Sequence, residues 1–190
     1  MELFIITPCS RPNFLPKLYD SMDFDKVTQW IIVYDTSKGV KYEKKYLEHP
    51  KIYEIECNTP NVSGGSPRQE ALNMIKDGFV YFLDDDNIIH PNFWNIFTKA
   101  TLDKFYTFNC MVLVNGKSLY GDKCKVGTID TSQFLVPRKI IGNTIWQNVY
   151  TADGLFIEEI YKNHSDKHCY VNEIAAYYNY ITKAGWGGGK

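Results

Sequence analysis

The apolar positions of this chain fall into short runs separated by helical patterns. Runs at residues 3–7, 30–34 and 79–83 are apolar, and 51–56 alternates polar and apolar as a strand near a sheet edge does. Pro8 closes the first run and Asp35 the second. Between them, 13–21 predicts a short helix interrupted early by Pro16, and 41–47 predicts another. The best-signed helix follows the turn formers of 58–65. Ser66 is placed to cap it, with Pro67 as the first helical residue and Gln69 completing a capping box. Ala71, Leu72 and Ile75 form its apolar face, and Gly78 stops it. Strands alternating with helices at this spacing predict an α/β fold, Rossmann-like, with a mixed, mostly parallel sheet and helices on both faces.

The second half is less regular. His90, Pro91 and Asn92 open a helix over 93–100, and 154–163 predicts another. Strands are expected at 108–114, 126–128 and 133–136, the last stopped by Pro137. Weaker ones fall at 169–171 and 177–181. The glycine-rich end, 185–190, reads as a flexible tail. No internal repeat or linker is visible, so 1–190 is expected to be one domain.

The run Asp84-Asp85-Asp86-Asn87 changes this picture most. An apolar strand there delivers three carboxylates to the edge of a sheet. Adjacent carboxylates repel by about 1 kcal/mol or more per pair at surface dielectrics, so a cation is needed nearby. All-oxygen ligands suit Mg²⁺, Mn²⁺ or Ca²⁺. If the strand continues, Asp84 and Asp86 project to one side and Asp85 to the other. Open α/β sheets bind ligands at the carboxyl ends of their strands, and these residues sit at one.

Composition narrows the classes. With 190 residues, 44% hydrophobic and 15% aromatic, the chain can bury a sizeable core. Fourteen tyrosines and four tryptophans mildly favour a sugar or nucleotide ligand. A net charge of −1 with no basic stripe argues against a nucleic-acid partner. No apolar run is long enough to span a bilayer, and the start lacks a signal-peptide pattern. The five dispersed cysteines suit free thiols in a reducing compartment, and the cytoplasm is the expected location. His164 and His168 share an i,i+4 spacing without a completing zinc ligand and read as surface histidines.

Four features then occur in order. Ile6-Thr7-Pro8-Cys9-Ser10-Arg11-Pro12 is a strand entering a proline-bounded loop. The run from Trp30 to Asp35 is a strand ending in a carboxylate. Ser66-Pro67-Arg68-Gln69 is a helix start bearing an arginine, and the acidic run is the fourth. Together they resemble GT-A-fold nucleotide-sugar glycosyltransferases. The opening and the acidic run look most like the inverting glucuronyltransferase family that builds proteoglycan linkers. The broad inverting GT-2 family comes next, and similar domains glycosylate viral capsids and bacterial surface polymers. The likeness covers roughly residues 3–100, with a looser echo at 129–136. Without the longer C-terminal part and anchor of the glucuronyltransferases, neither glucuronic acid as donor nor a Golgi location is expected.

The resemblance implies a metal-dependent inverting transfer from a nucleotide diphosphate sugar, UDP-linked by family habit, to a glycan or glycoprotein acceptor. Residues 1–100 would be the nucleotide-sugar half and 101–184 the acceptor half. Asp86 would bind Mn²⁺ (or Mg²⁺) directly. Asp84 would reach the ribose or a metal-bound water, and Asp85 would lie beside them. Thr7, Pro8 and Arg11 would line the nucleotide pocket, Asp35 would hold base or ribose, and Arg68 would lie near base or diphosphate. Asp153, ahead of an apolar helix face, is the expected general base, unless it only caps that helix. Glu158 and Glu159 come next. Asp130 would hold acceptor hydroxyls, and Trp146 would stack on the acceptor if it is not a core residue. Two alternatives are a non-catalytic nucleotide-sugar-binding domain of a larger protein and a sugar-1-phosphate nucleotidyltransferase. The latter's glycine-rich opening is missing between Thr7 and Pro12.

Overall fold

In a computed structural model, which describes residues 1–37, 42, 47–112 and 115–181, the chain forms one large mixed sheet covered by helices on both faces. The strands are β1 (Leu3–Cys9), β2 (Gln29–Asp35), β3 (Ile52–Cys57), β4 (Phe79–Phe82), β5 (Ile88–Ile89), β6 (Phe105–Val112), β7 (Lys117–Leu119), β8 (Phe134–Pro137) and β9 (His168–Tyr178). The helices are α1 (Leu15–Asp20), α2 (Gly65–Met74), α3 (Asn92–Lys99), α4 (Arg138–Ile141) and α5 (Ala152–His164). Sheet order is β3-β2-β1-β4-β8-β6-β9-β5, with β7 on β6. β1 to β4 are parallel; β8 then runs antiparallel to both β4 and β6.

Strict alternation explains why the central runs are apolar throughout. Leu3, Ile5, Trp30, Ile32, Phe79 and Tyr81 pack on one face, with Leu15 and Leu18 of α1 and Phe93 and Ile96 of α3. Ile6, Ile31, Val33, Val80 and Phe82 pack on the other, with Leu72 of α2, Ile140 of α4 and Phe156 and Ile160 of α5. A strand buried on both faces has no polar side to show. β3 lies at the sheet's edge as expected, but its burial does not alternate: Ile52 packs on one face and Ile55 and Cys57 on the other.

Several boundaries differ from expectation. Pro8 does not end β1: the strand runs to Cys9, and beyond Ile6 it pairs only with β2, where a proline is tolerated. Pro16 lies in the first turn of α1, so it starts that helix rather than interrupting it. Residues 126–128 form a turn, not a strand, with Thr128 N–H bonded to Lys125 O at 3.0 Å. The weak strand at 169–171 and the first two residues of the one at 177–181 belong to a single strand, β9, paired along β6 through two register shifts, and residues 179–181 leave it. His168 begins β9 and is half-buried, bonded to Thr107 Oγ1 at 2.8 Å, so it is not a surface histidine. The helix expected at 41–47 falls almost wholly outside the described residues, as do the end of the strand expected at 108–114, at 113–114, and the tail at 185–190. All five cysteines are free thiols.

Candidate active site

The acidic run is a turn rather than a continued strand. β4 ends at Phe82, and Asn87 N–H reaches back to Asp84 O at 3.1 Å. The expectation that Asp84 and Asp86 share one side is therefore corrected, because the period of two stops where the turn begins. Asp84 follows the face of Val80 and Phe82, toward α2. There it pairs with Arg68 and accepts a bond from Thr131 Oγ1 at 3.0 Å. Asp85 and Asp86 both meet Arg11. Asp85, 2% exposed, accepts from Ser10 N–H at 2.7 Å, Arg11 N–H at 2.8 Å and Arg11 Nε at 2.9 Å, and pairs with Arg11 Nη2. Asp86 lies 3.1 Å from Arg11 Nη1. Two guanidinium groups thus supply much of the compensation that three clustered carboxylates require.

A cleft of about 330 Å³ opens beside this turn, walled by Pro8, Arg11, Asp35, Gly64, Arg68 and Asp84. Asp85 also reaches it, while binding the loop after β1 in place. Thr7 does not line it: the residue is fully buried, and its Oγ1 accepts from Trp30 Nε1 at 2.9 Å. Asp35, at the end of β2, accepts from Ser37 N–H at 3.0 Å and Ser37 Oγ at 2.6 Å, which holds its carboxylate at the rim. Gly64 sits at φ +75°, and a Cβ there would lie 2.9 Å from Pro8 Cβ and 3.0 Å from Arg68 Nη1. Only glycine combines that backbone with that approach. It starts α2 at Gly65, ahead of the expected Ser66 cap. Ser66 Oγ instead donates to Pro60 O at 3.2 Å, and Gln69 Oε1 accepts from Trp146 N–H at 2.7 Å, so the capping box does not form.

A second cleft of about 440 Å³ shares Ser63, Arg68 and Asp84 with the first, and adds Asp130, Asp153 and Tyr178. Asp130 caps the single turn Thr131–Gln133: it accepts from Ser132 N–H at 3.3 Å, and Gln133 Oε1 returns a bond to its N–H at 2.9 Å. Burial, then the charges of Asp84 and Asp153, push its carboxyl up to about 7. Asp153 is not the N-cap of α5; Thr151 is, and Asp153 lies one residue inside, accepting from Gly154 N–H at 2.8 Å. Burial raises its carboxyl too, with Asp84 adding to the rise and Arg68 opposing it. A Cβ on Gly154 would come within 2.6 Å of Val126 Cα, so this glycine lets the start of α5 seat against the 126–128 turn. Burial, with Asp130 next, pushes the Tyr178 hydroxyl up to about 12.

Trp146 is a core residue, 4% exposed. It stacks on Phe156 at 4.5 Å and meets Phe82 edge-on at 4.8 Å. The Arg68 guanidinium lies 4.8 Å above it, so the ring supports the shared wall instead of facing an acceptor. Glu158 turns to Val126 N–H at 3.4 Å and Glu159 is exposed; neither lines the two clefts. Ser63, Gly64, Thr131 and Tyr178 were not anticipated. For the first two, the turn-forming stretch 58–65 was the available signal; Tyr178 had none.

Among the described residues no three His, Cys, Asp or Glu side chains converge on a metal position. The donor set nevertheless fits Mg²⁺ or Mn²⁺ of the kind held by one or two carboxylates with phosphates and water completing the shell. Asp84 stands at the junction of both clefts, with its side chain 27% exposed.

No protein-family model matches this sequence, and no curated protein sequence matches it significantly. Solved structures do resemble the fold. Residues 1–349 of S. aureus TarS in complex with UDP-GlcNAc superpose with a TM-score of 0.70 at 16% identity, over 93% of this chain and 58% of that one. The same fragment in complex with UDP gives 0.66 at 15%, over 93% and 60%. Glucosyl-3-phosphoglycerate synthase from Mycobacterium tuberculosis, in complex with Mn²⁺, UDP and phosphoglyceric acid, gives 0.61 at 12%, over 92% and 69%. The chain spans about three fifths of the TarS fragment. The fold is thus that of GT-A glycosyltransferases, as the sequence resemblance implied.

Proposed function

We propose that this protein is a glycosyltransferase that moves a sugar from a nucleotide diphosphate sugar, UDP-linked by analogy with its structural neighbours, to a glycan or glycoprotein hydroxyl. One observation carries the reading: two clefts meet at a wall made by Ser63, Arg68 and Asp84. The first has the features of a nucleotide site, a rim carboxylate at Asp35 and guanidinium groups at Arg11 and Arg68. The second has buried carboxylates at Asp130 and Asp153. A donor lying across the wall would place its anomeric carbon between diphosphate contacts on one side and a proton acceptor on the other.

In this reading Asp35 accepts a hydrogen bond from the base or ribose, and Arg11 contacts a phosphate. Asp153 takes the proton of the acceptor hydroxyl as its oxygen bonds to the anomeric carbon. The bond to the diphosphate oxygen breaks, its electron pair leaving with the nucleotide, and one displacement inverts the centre. A carboxylate raised by burial is a stronger base than one in water, which suits that task. Asp130 holds the acceptor. Asp84, at the junction of the clefts, would hold Mn²⁺ or Mg²⁺, and by the resemblance Asp86 would join it, although it pairs with Arg11 and lines neither cleft; the ion's contribution there is to neutralise charge on the departing diphosphate.

Titration calorimetry of UDP with Mn²⁺ and with EDTA tests donor and metal sites together. Tighter binding with Mn²⁺ is expected; equal affinity removes the metal role, and no binding removes the reading. Release of UDP from nucleotide sugars with an acceptor mixture tests turnover. Binding without release would make the chain a nucleotide-sugar-binding module. Retained configuration in the product, measured by NMR, would exclude the single displacement.

A further inference from the structure

We infer that the second cleft accepts only sugars without negative charge, so that uronic, sialic and phosphorylated sugars are excluded from the position beside Asp130 and Asp153. This rests on the function proposed above and specifies its substrate class. The cleft carries three carboxylates, Asp84, Asp130 and Asp153, and among the described residues lining it Arg68 is the one cation. That arginine is already committed. It is 4% exposed, pairs with Asp84 and donates to Ser63 O at 2.6 Å, with its face against Trp146. It therefore has little freedom to turn toward a sugar carboxylate. The remaining polar groups include the hydroxyls of Thr128, Thr131 and Tyr178, which suit neutral sugar hydroxyls.

The two clefts differ in this respect. Arg11, half-buried with its side chain 40% exposed, opens on the first cleft and not on the second. Anionic groups of a donor thus meet an exposed guanidinium in the first cleft but none among the described residues lining the second. Asp84, Asp130 and Asp153 all line this one cleft, so an anion beside any of them faces the others too. A further anion placed among them meets their field in a cleft open to solvent, where added salt screens it in part.

The test compares donors that differ only at C6: UDP-glucose with UDP-glucuronic acid, and UDP-N-acetylglucosamine with its C6 carboxylate. Affinities are measured by calorimetry with Mn²⁺ and with EDTA. The neutral member of the better-binding pair is expected to bind at least about tenfold more tightly than its uronate. The gap should narrow between about 0.05 M and about 0.5 M NaCl. It should also narrow in the Asp130→Asn, Asp153→Asn double variant. Equal binding of both members, with UDP itself bound, overturns this inference and leaves the transferase reading intact. Failure of UDP to bind overturns the reading and the inference with it. A gap that ignores salt in the unmodified protein shows exclusion by shape, and also overturns the inference, whether or not the double variant folds.

Discussion

The two clefts are built in opposite ways. The first is assembled from strand ends that lie side by side: Pro8 lies near the end of β1 and Arg11 follows it, Asp35 ends β2 and Asp84 follows β4, all in the parallel part of the sheet. Each residue is aimed by the strand that carries it. The second draws on the turn at 126–128, the cap at Asp130, the start of α5 and the end of β9, elements that antiparallel β8 and long β9 bring together. Its chemistry comes from convergence, and its carboxylates are the perturbed ones. The first neutralises charge; the second concentrates it. Arg68 and Asp84 belong to both, so they are where the two can be uncoupled.

The largest expected effect lies in the second cleft. Asp153→Asn should lower kcat by roughly 10² or more while UDP and Mn²⁺ binding, read by calorimetry, stay unchanged. Asp153 is not the helix cap, so the helix start should tolerate the change. Near-normal turnover would leave Asp130 as the carboxylate to test, since Glu158 and Glu159 lie away from the cleft.

Arg68→Ala should disturb both clefts, costing about 2 kcal/mol of stability through the lost charged hydrogen bonds and weakening UDP binding as well. Arg68→Lys should recover little, because a lysine cannot serve Ser63 O and Asp84 with a fixed fork. Urea unfolding and calorimetry read the two losses separately.

At the acidic turn, Asp85, which reaches the first cleft, and Asp86, which lines neither, should part ways. Asp85→Asn should lower the urea midpoint more, by an amount worth about 2 kcal/mol, because Asp85 binds both Ser10 and Arg11. Asp86→Asn should instead weaken Mn²⁺-dependent UDP binding more. If the two variants rank the same way in both measurements, that division of labour is wrong. Asp35→Ala should weaken UDP binding by about 1–3 kcal/mol and leave the second cleft's pH behaviour alone.

The smallest effect separates the clefts by pH. Asp130 is raised from 3.8 to about 7, so between these values the folded protein holds a proton that the unfolded chain has lost. Its contribution to stability is full at low pH and is lost as pH rises through about 7. Unfolding at about pH 4.5 and about pH 7.5 in EDTA should therefore show a smaller loss on raising pH in Asp130→Asn than in the unmodified protein. An unchanged pH slope would place the titration elsewhere.

What could be read in the sequence follows from local rules. Continuous apolar runs marked β1, β2 and β4 because each is covered on both faces, and they delivered Asp35 and Asp84 to the correct edge. Arg68 stood out because a cation at a helix start needs a partner, and it has one in Asp84. The ordered motifs carried the fold resemblance. Where local rules end, the reading ended too. Ser66 looked like a cap because Ser-Pro-x-Gln is a good local pattern, yet Gly64 in a left-handed conformation took the chain into the helix earlier. The strand at 79–83 could not announce that 84–87 would turn, so it could not say that Arg11, from the loop after β1 seventy-odd residues earlier, would pair with both Asp85 and Asp86. Trp146 became a support for Arg68 only through the packing of Phe82 and Phe156. Nothing near Tyr178 in the chain hinted at Asp130, because their meeting depends on strand pairings far apart in sequence. The sequence by itself determined the strands, the site's position at their carboxyl ends and the residue types available there. The tertiary structure alone decided which charges pair and which stay together unpaid, because burial and Coulomb energy depend on distances that only the folded sheet sets.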